Sequence, residues 1–275
     1  MLTGTALAAQ LGTVVAAASD RDGFVPPSIS DFFPEPFAFL GTPFEMNRIM
    51  MVRLIMTTVL VLLFGIGAAR AKVVPGRFQN VLEMLLEFVR KNIAEEILGP
   101  HKGKQYAPIL TTIFLGTLFM NISGIVPGLQ IAATSVIGMP IVYAVVAYVV
   151  FVAAGVKAHG IGGFLRGQLV PAGVPKPLYL LITPIEFLSN LVMRPVTLTI
   201  RLLANMISGH LLLALCFVAT NALFFTASGA LKAAGVVTLA AGLAFVLFEA
   251  FVAALQAYIF ALLTAVYIDS SVNIH

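Results

Sequence analysis

Two arginines, an asparagine, a serine and a histidine stand in an otherwise apolar stretch, RPVTLTIRLLANMISGH at 194–210. At about 100° per residue, Arg194, Arg201, Asn205 and Ser208 share one stripe of a helix. His210 lies about half a turn round from Arg201 and on the order of 13 Å further along the axis. The charged and titratable groups of this helix therefore look to opposite sides, an arrangement suited to an ion that approaches from one side and leaves from another. The last apolar run carries a second polar stripe: Glu249, Gln256 and Tyr267 fall on nearly one helix face. An imidazole and a carboxylate at one depth can relay a proton, because each can bind one near neutral pH. His210 and Glu249 are the residues placed to do so. Glu186, just after Pro184, is a further acid at an expected membrane surface, where structural and functional readings stand level.

Plainer roles exist for each of these residues. Arg194 precedes a proline and could snorkel to an interface. Arg201 could be paired with Glu186 or Glu249 to fix the fold. Asn205, Ser208 and Gln256 could be interhelical hydrogen-bonders, Tyr267 an interface belt residue, and His210 a packing side chain.

The chain that positions them has 275 residues, 60% hydrophobic and 10% charged. Soluble domains carry about 25% charged residues, so the composition defines an all-α integral membrane protein. The net charge of +4 is spread through loops between apolar runs and is no nucleic-acid signal. Cys216, the one cysteine, excludes an internal disulfide and has no ligand-like neighbours for a metal. No P-loop or glycine-rich nucleotide fingerprint is present, and no cofactor is expected.

Five spans are expected, at about 50–69, 107–128, 135–156, 178–225 and 235–268. A segment of roughly 20 apolar residues crosses a hydrocarbon core of about 30 Å. As single helices the last two runs would measure on the order of 70 and 50 Å. The fourth, interrupted by Pro184 and Pro195, must be steeply tilted, kinked at the prolines, or broken into a re-entrant part and a span, and the last should be strongly tilted. The short turn at 226–234 makes these two antiparallel neighbours, with His210 and Glu249 at comparable depth. Arg53, near the start of the first span, can snorkel.

Residues 78–98 have apolar positions at helical spacing with charges between, an amphipathic helix lying on the membrane or against a partner. Residues 1–48 form an N-terminal segment separate from the membrane domain at 49–275. Its first part, 1–19, reads as a loose or interfacial terminus or a cleaved signal, and 20–48 is acidic and proline-rich. Basic residues concentrate at 70–104 and 157–176, with Lys157, His159, Arg166 and Lys176 in the second loop. The positive-inside rule makes those loops cytoplasmic, the N-terminus and segment 1–48 extracytoplasmic, and the C-terminus cytoplasmic.

The run RPVTLTIRLLANMISGH, followed by FEAFVAALQAYIFALLTAVYI, resembles subunit a of the F-type ATP synthase over about residues 45–270. KVVPGRFQ at 72–79 is similar to the stretch after the first span in bacterial members. The resemblance implies a stator channel in a bacterial plasma membrane, beside a rotating ring of c subunits, with a peripheral-stalk b subunit and other synthase subunits as partners. The amphipathic helix at 78–98 would suit contact with the stalk. It implies a non-catalytic subunit with two offset half-channels, in which Arg201 is the residue essential for coupling and Asn205 and Gln256 are its companions. Many members carry glutamate at the position of His210 and histidine at that of Glu249; here the two are exchanged, and one acid and one imidazole remain. Glu186 would lie near the cytoplasmic half-channel. Arg194, Ser208 and Tyr267 are further candidates. The competing classes are a proton-coupled secondary transporter, whose usual signature is an internal repeat, and a membrane scaffold, which has no use for Arg201, His210 and Glu249 inside apolar runs.

Overall fold

The computed structural model describes residues 34–37, 41, 46–126, 129, 131–169, 178–225 and 231–273. The expectations for 1–33, for Lys176 and for 226–230 of the last turn lie outside the described residues. Among the described residues no β-strand occurs, and five helices are long and apolar enough to cross a membrane.

Helix α1 (Arg48–Ala69) starts where the Asn47 side chain accepts the Met50 N–H at 2.9 Å, satisfying one orphan donor of the first turn. It buries Ile49, Val52 and Met56 and leaves Val61, Leu62 and Ile66 exposed, a face that hydrocarbon covers at no cost. Arg53 does not snorkel. Half-buried, it donates to the Ala133 carbonyl at 2.9 Å and the Val136 carbonyl at 3.3 Å, pinning the connection between the second and third spans.

Helix α2 (Arg77–Val89) continues through a π-helical turn (Arg90–Glu95) into α3 (Glu96–Ile122). The wider turn brings residues five apart together, and Arg90 Nε meets Glu95 Oε1 at 2.8 Å. The path breaks at Gly99, whose φ of 75° suits a residue without Cβ, and Pro100 opens the next helix. The amphipathic stretch expected at 78–98 ends at this corner, and the helix that carries the expected second span, about 107–128, continues from Pro100 to Ile122. The reversal is tight: a Cβ on Gly103 would stand 2.6 Å from Glu95 Cα.

Helix α4 (Gly138–Leu169) repeats the device at Gly160, with φ 73°. Beyond it Phe164 folds back against Gly155, its ring edge-on to Phe151 at 5.5 Å. That anchor makes residues 161–169 helical, where the basic composition suggested a loop.

Helix α5 (Tyr179–Glu186), a π-helical segment (Phe187–Met193) and α6 (Arg194–Phe225) form one continuous helical run. Of the alternatives open for this run (tilt, a kink at the prolines or a break), the break does not occur: helicity continues through both prolines. Pro195 has no N–H, and in an α-helix its ring would strike the carbonyl four residues back. The π segment just before it widens the turn and accommodates the ring.

Helix α7 (Leu231–Val272) has 42 residues, about 63 Å, twice the hydrocarbon thickness. Ala253, Ala257, Ala261 and Ala265 form a buried ladder at intervals of four, and the last three lie in one cluster with Leu110, Phe114 and Leu115 of α3. Small residues let helix backbones approach where lipid removes the hydrophobic drive for association. Phe260 shares a second buried cluster with Ile113, Ala144, Ala147, Leu198 and Leu202. Helices α6 and α7 are antiparallel along their whole length. Arg194 meets Ser270, Asn205 meets Gln256, Gly209 meets Glu249, Cys216 meets Gly242, and Thr220 meets Thr238.

Three bonds gather one end of the bundle: Lys102 Nζ donates to Asn273 Oδ1 at 2.7 Å, His159 Nε2 lies 2.9 Å from the Val272 carbonyl, and Gln168 Nε2 donates to the Ser270 carbonyl at 3.3 Å. At the other end Asn121 accepts from Thr134 Oγ1 at 2.7 Å and donates to the Ala253 carbonyl at 3.5 Å, tying the inter-span connection to α7.

Candidate ion path between the two long helices

Asn205 projects from the middle of α6 and donates through Nδ2 to Gln256 Oε1 of α7 at 2.9 Å. Gln256 is 2% exposed, and its Nε2 is buried without a hydrogen-bond partner among the described residues. Two turns earlier on α7, Glu249 is 6% exposed, and its Oε2 likewise has no partner among them. A recess of about 220 Å³ opens between the helices here, lined by Asn205, Ser208, Gly209, Glu249, Phe245 and Phe248, among others. It is large enough for several waters, and water can supply the bonds a buried carboxylate lacks.

Ser208 lines the recess while donating to the Ala204 carbonyl at 2.8 Å. Glu249 lies opposite Gly209, one residue before His210, so the half-buried histidine and the acid sit level along the helix pair.

Arg201 is half-buried on α6, one turn before Asn205. The ion pairs among the described residues are Arg90–Glu95 and Lys91–Glu87, and no hydrogen bond or ion pair joins Arg201 to a described residue. Its pairing with Glu186 or Glu249 is thus not formed.

The remaining candidates assemble elsewhere, about 10 Å further down the axis from Arg201. Arg194 is half-buried rather than snorkelling. Its guanidinium lies 5.1 Å from the Phe151 ring centre and 4.9 Å from that of Tyr267, and donates to Ser270 Oγ at 3.1 Å and Asn190 Oδ1 at 2.9 Å. Asn190 in turn donates to Glu186 Oε2 at 2.7 Å. Tyr267 is therefore a neighbour of Arg194, not of Glu249 and Gln256 with which it shares a helix face. Sequence reasoning passed over Asn190, Ser270 and Phe151. The signal for Asn190 was available, since it stands four residues from both Glu186 and Arg194.

Five apolar spans, with a buried carboxylate and a carboxamide pair between α6 and α7 and, among the described residues, an unpaired half-buried guanidinium on α6, define a multi-pass membrane protein. The family profile described as ATP synthase A chain matches residues 49–269. ATP synthase subunit a of Rhodococcus erythropolis is 46% identical over 252 residues, covering 92% of each chain. The subunit a of a Nocardioides species is 35% identical over 94% of this chain and 96% of its own, and that of Streptomyces lividans 34% over 93% and 90%. The chain belongs to the ATP synthase A chain family, the membrane-sector subunit a of the F-type enzyme, and its partners are other ATP synthase subunits.

Proposed function

We propose that this chain is the proton-conducting stator of its ATP synthase, passing protons through two offset half-channels to and from carboxylates on a ring of c subunits. The observation that carries the reading is the half-buried Arg201 guanidinium, unpaired among the described residues, with one polar cluster on either side of it along α6. An unpaired cation in a poor solvent is strongly disfavoured. A partner carboxylate presented by a passing ring subunit would supply the missing charge.

In this reading protons enter from outside past Glu249, His210, Asn205 and Gln256 and reach a ring carboxylate. After nearly a full rotation they leave by a cytoplasmic half-channel near Glu186. Arg201 attracts each ionised carboxylate and blocks direct passage between the half-channels. Arginine suits the task because a guanidinium stays charged in surroundings where lysine can lose its proton. The subunit itself carries out no nucleotide chemistry. The basic loops favour segment 1–48 outside and the C-terminus in the cytoplasm of a bacterial cell. The exposed face of α2 suits a peripheral-stalk b subunit.

The test is ATP-driven acidification of inverted membrane vesicles, wild type against Arg201→Ala, with ATP hydrolysis and subunit content measured in the same samples. Loss of pumping in an assembled complex is expected; unchanged pumping would refute the assignment.

A further inference from the structure

We propose that Arg194 is a positioning residue for Glu186, acting through the carboxamide of Asn190. The proposal rests on the reading of Glu186 as part of the cytoplasmic half-channel.

A guanidinium has five donors and no acceptor. With Arg194 Nη2 2.9 Å from the Asn190 side chain, only the carbonyl end of that carboxamide can face it. The amide nitrogen must then point the other way, and there it meets two acceptors, Glu186 Oε2 at 2.7 Å and the Gln168 carbonyl at 3.0 Å. Turning the group over would set its NH₂ against a cation and its carbonyl against a carboxylate and a second carbonyl. Arg194 thereby dictates the orientation of Asn190, and Asn190 holds one oxygen of Glu186 while the other is left to exchange protons.

Arg194 is in turn fixed from outside its own helix. Phe151 of α4 and Tyr267 of α7 flank its guanidinium, and Ser270 of α7 accepts from it while donating to the Tyr267 carbonyl at 2.9 Å. Flanking rings hold a cation by its face and leave its edge donors directed. The end of the last helix thus sets the geometry of an acid on the preceding one.

The experiment measures ATP-driven acidification in inverted vesicles carrying the complete synthase, normalised to hydrolysis and to subunit content. The variants are Arg194→Met, Arg194→Lys, Glu186→Gln and the double Glu186→Gln/Arg194→Met. Arg194→Met is expected to slow acidification about fivefold, the equivalent of one lost hydrogen bond. Arg194→Lys, still a pure donor, should retain most of the rate. In the Glu186→Gln background the Met change should add nothing further, because its target has gone. Additive losses, or a Lys variant as slow as Met, would overturn the proposal. If Glu186→Gln alone pumps like wild type, the half-channel reading of Glu186 fails and the proposal with it. Should Arg194→Met not accumulate in the membrane, Asn190→Asp carries the same test, since it keeps an acceptor for Arg194 and removes the donor to Glu186. It should match the Met variant's expected loss in the wild-type background and vanish in the Gln one; a loss in both would sink the idea.

Discussion

Gly209 of α6 lies directly against Glu249 of α7: a methyl group on Gly209 would stand 3.1 Å from Glu249 Oε1 and 3.3 Å from its carboxyl carbon. The two helices approach at this level because one of them has no side chain, and the carboxylate takes up the space. Gly209→Ala should displace the carboxylate by a few tenths of an ångström, and Gly209→Val should drive it out of place. Acidification is expected to fall roughly tenfold for Val and less for Ala, since small misplacements of a reacting group cost large factors. Equal rates for all three chains, with equal assembly, would mean that the position of Glu249 does not limit conduction.

The same level of the helix pair carries His210. If the imidazole and the carboxylate act as one relay, His210→Glu and Glu249→His should each slow acidification. The double exchange should recover a coupling of about 1–3 kcal/mol. Rates of the single and double variants in one vesicle preparation decide it. Purely additive losses would assign the two groups separate roles.

Arg201, Asn205, Glu249 and Gln256 were legible in the sequence because each stands among residues suited to hydrocarbon, where a polar group is costly enough to need a reason. The antiparallel pairing of the two long helices was legible for a similar reason, from a short turn between two overlong runs. The Arg194 cluster was not. Its parts come from α4, α6, α7 and the π segment, and Ser270 reaches Arg194 across 76 positions of chain. A lone arginine beside a proline near a span's end reads as an interface residue until its partners are known. Pro195 misled in a different way. Its steric demand is real, but a wider turn met it without interrupting the helix. Gly99-Pro100 carried a stop signal of the usual kind, hidden because the weakly apolar residues after it read as loop.

The corner at Gly99 gives a stability prediction. Gly103 packs against the backbone of the preceding turn, with a virtual Cβ 2.6 Å from Glu95 Cα and 2.8 Å from Ala94 O. Backbone cannot step aside as a side chain can, so Gly103→Ala should cost about 1–3 kcal/mol through overpacking. The subunit's level in the membrane, followed by immunoblot, should drop. Gly162→Ala is the control, because nothing lies within 4 Å of its Cβ position, and its level should match wild type.

Arg201→Lys separates charge from chemistry at the residue proposed to sit between the half-channels. A lysine keeps the cation and much of the reach, so a role of simple attraction would survive the change. Burial in apolar surroundings disfavours an ammonium, which can shed its proton, whereas a guanidinium stays charged. Under the proposed mechanism the lysine would spend part of each cycle neutral between passing carboxylates, and protons could then cross from one half-channel to the other. ATP-driven acidification should fall by roughly tenfold or more, the effect of about 1.4 kcal/mol. Passive proton leak through the uncoupled membrane sector should rise. Measuring both in the same vesicles distinguishes the two roles: a slowed pump without added leak would assign Arg201 to attraction alone, and a wild-type pump would remove it from the path.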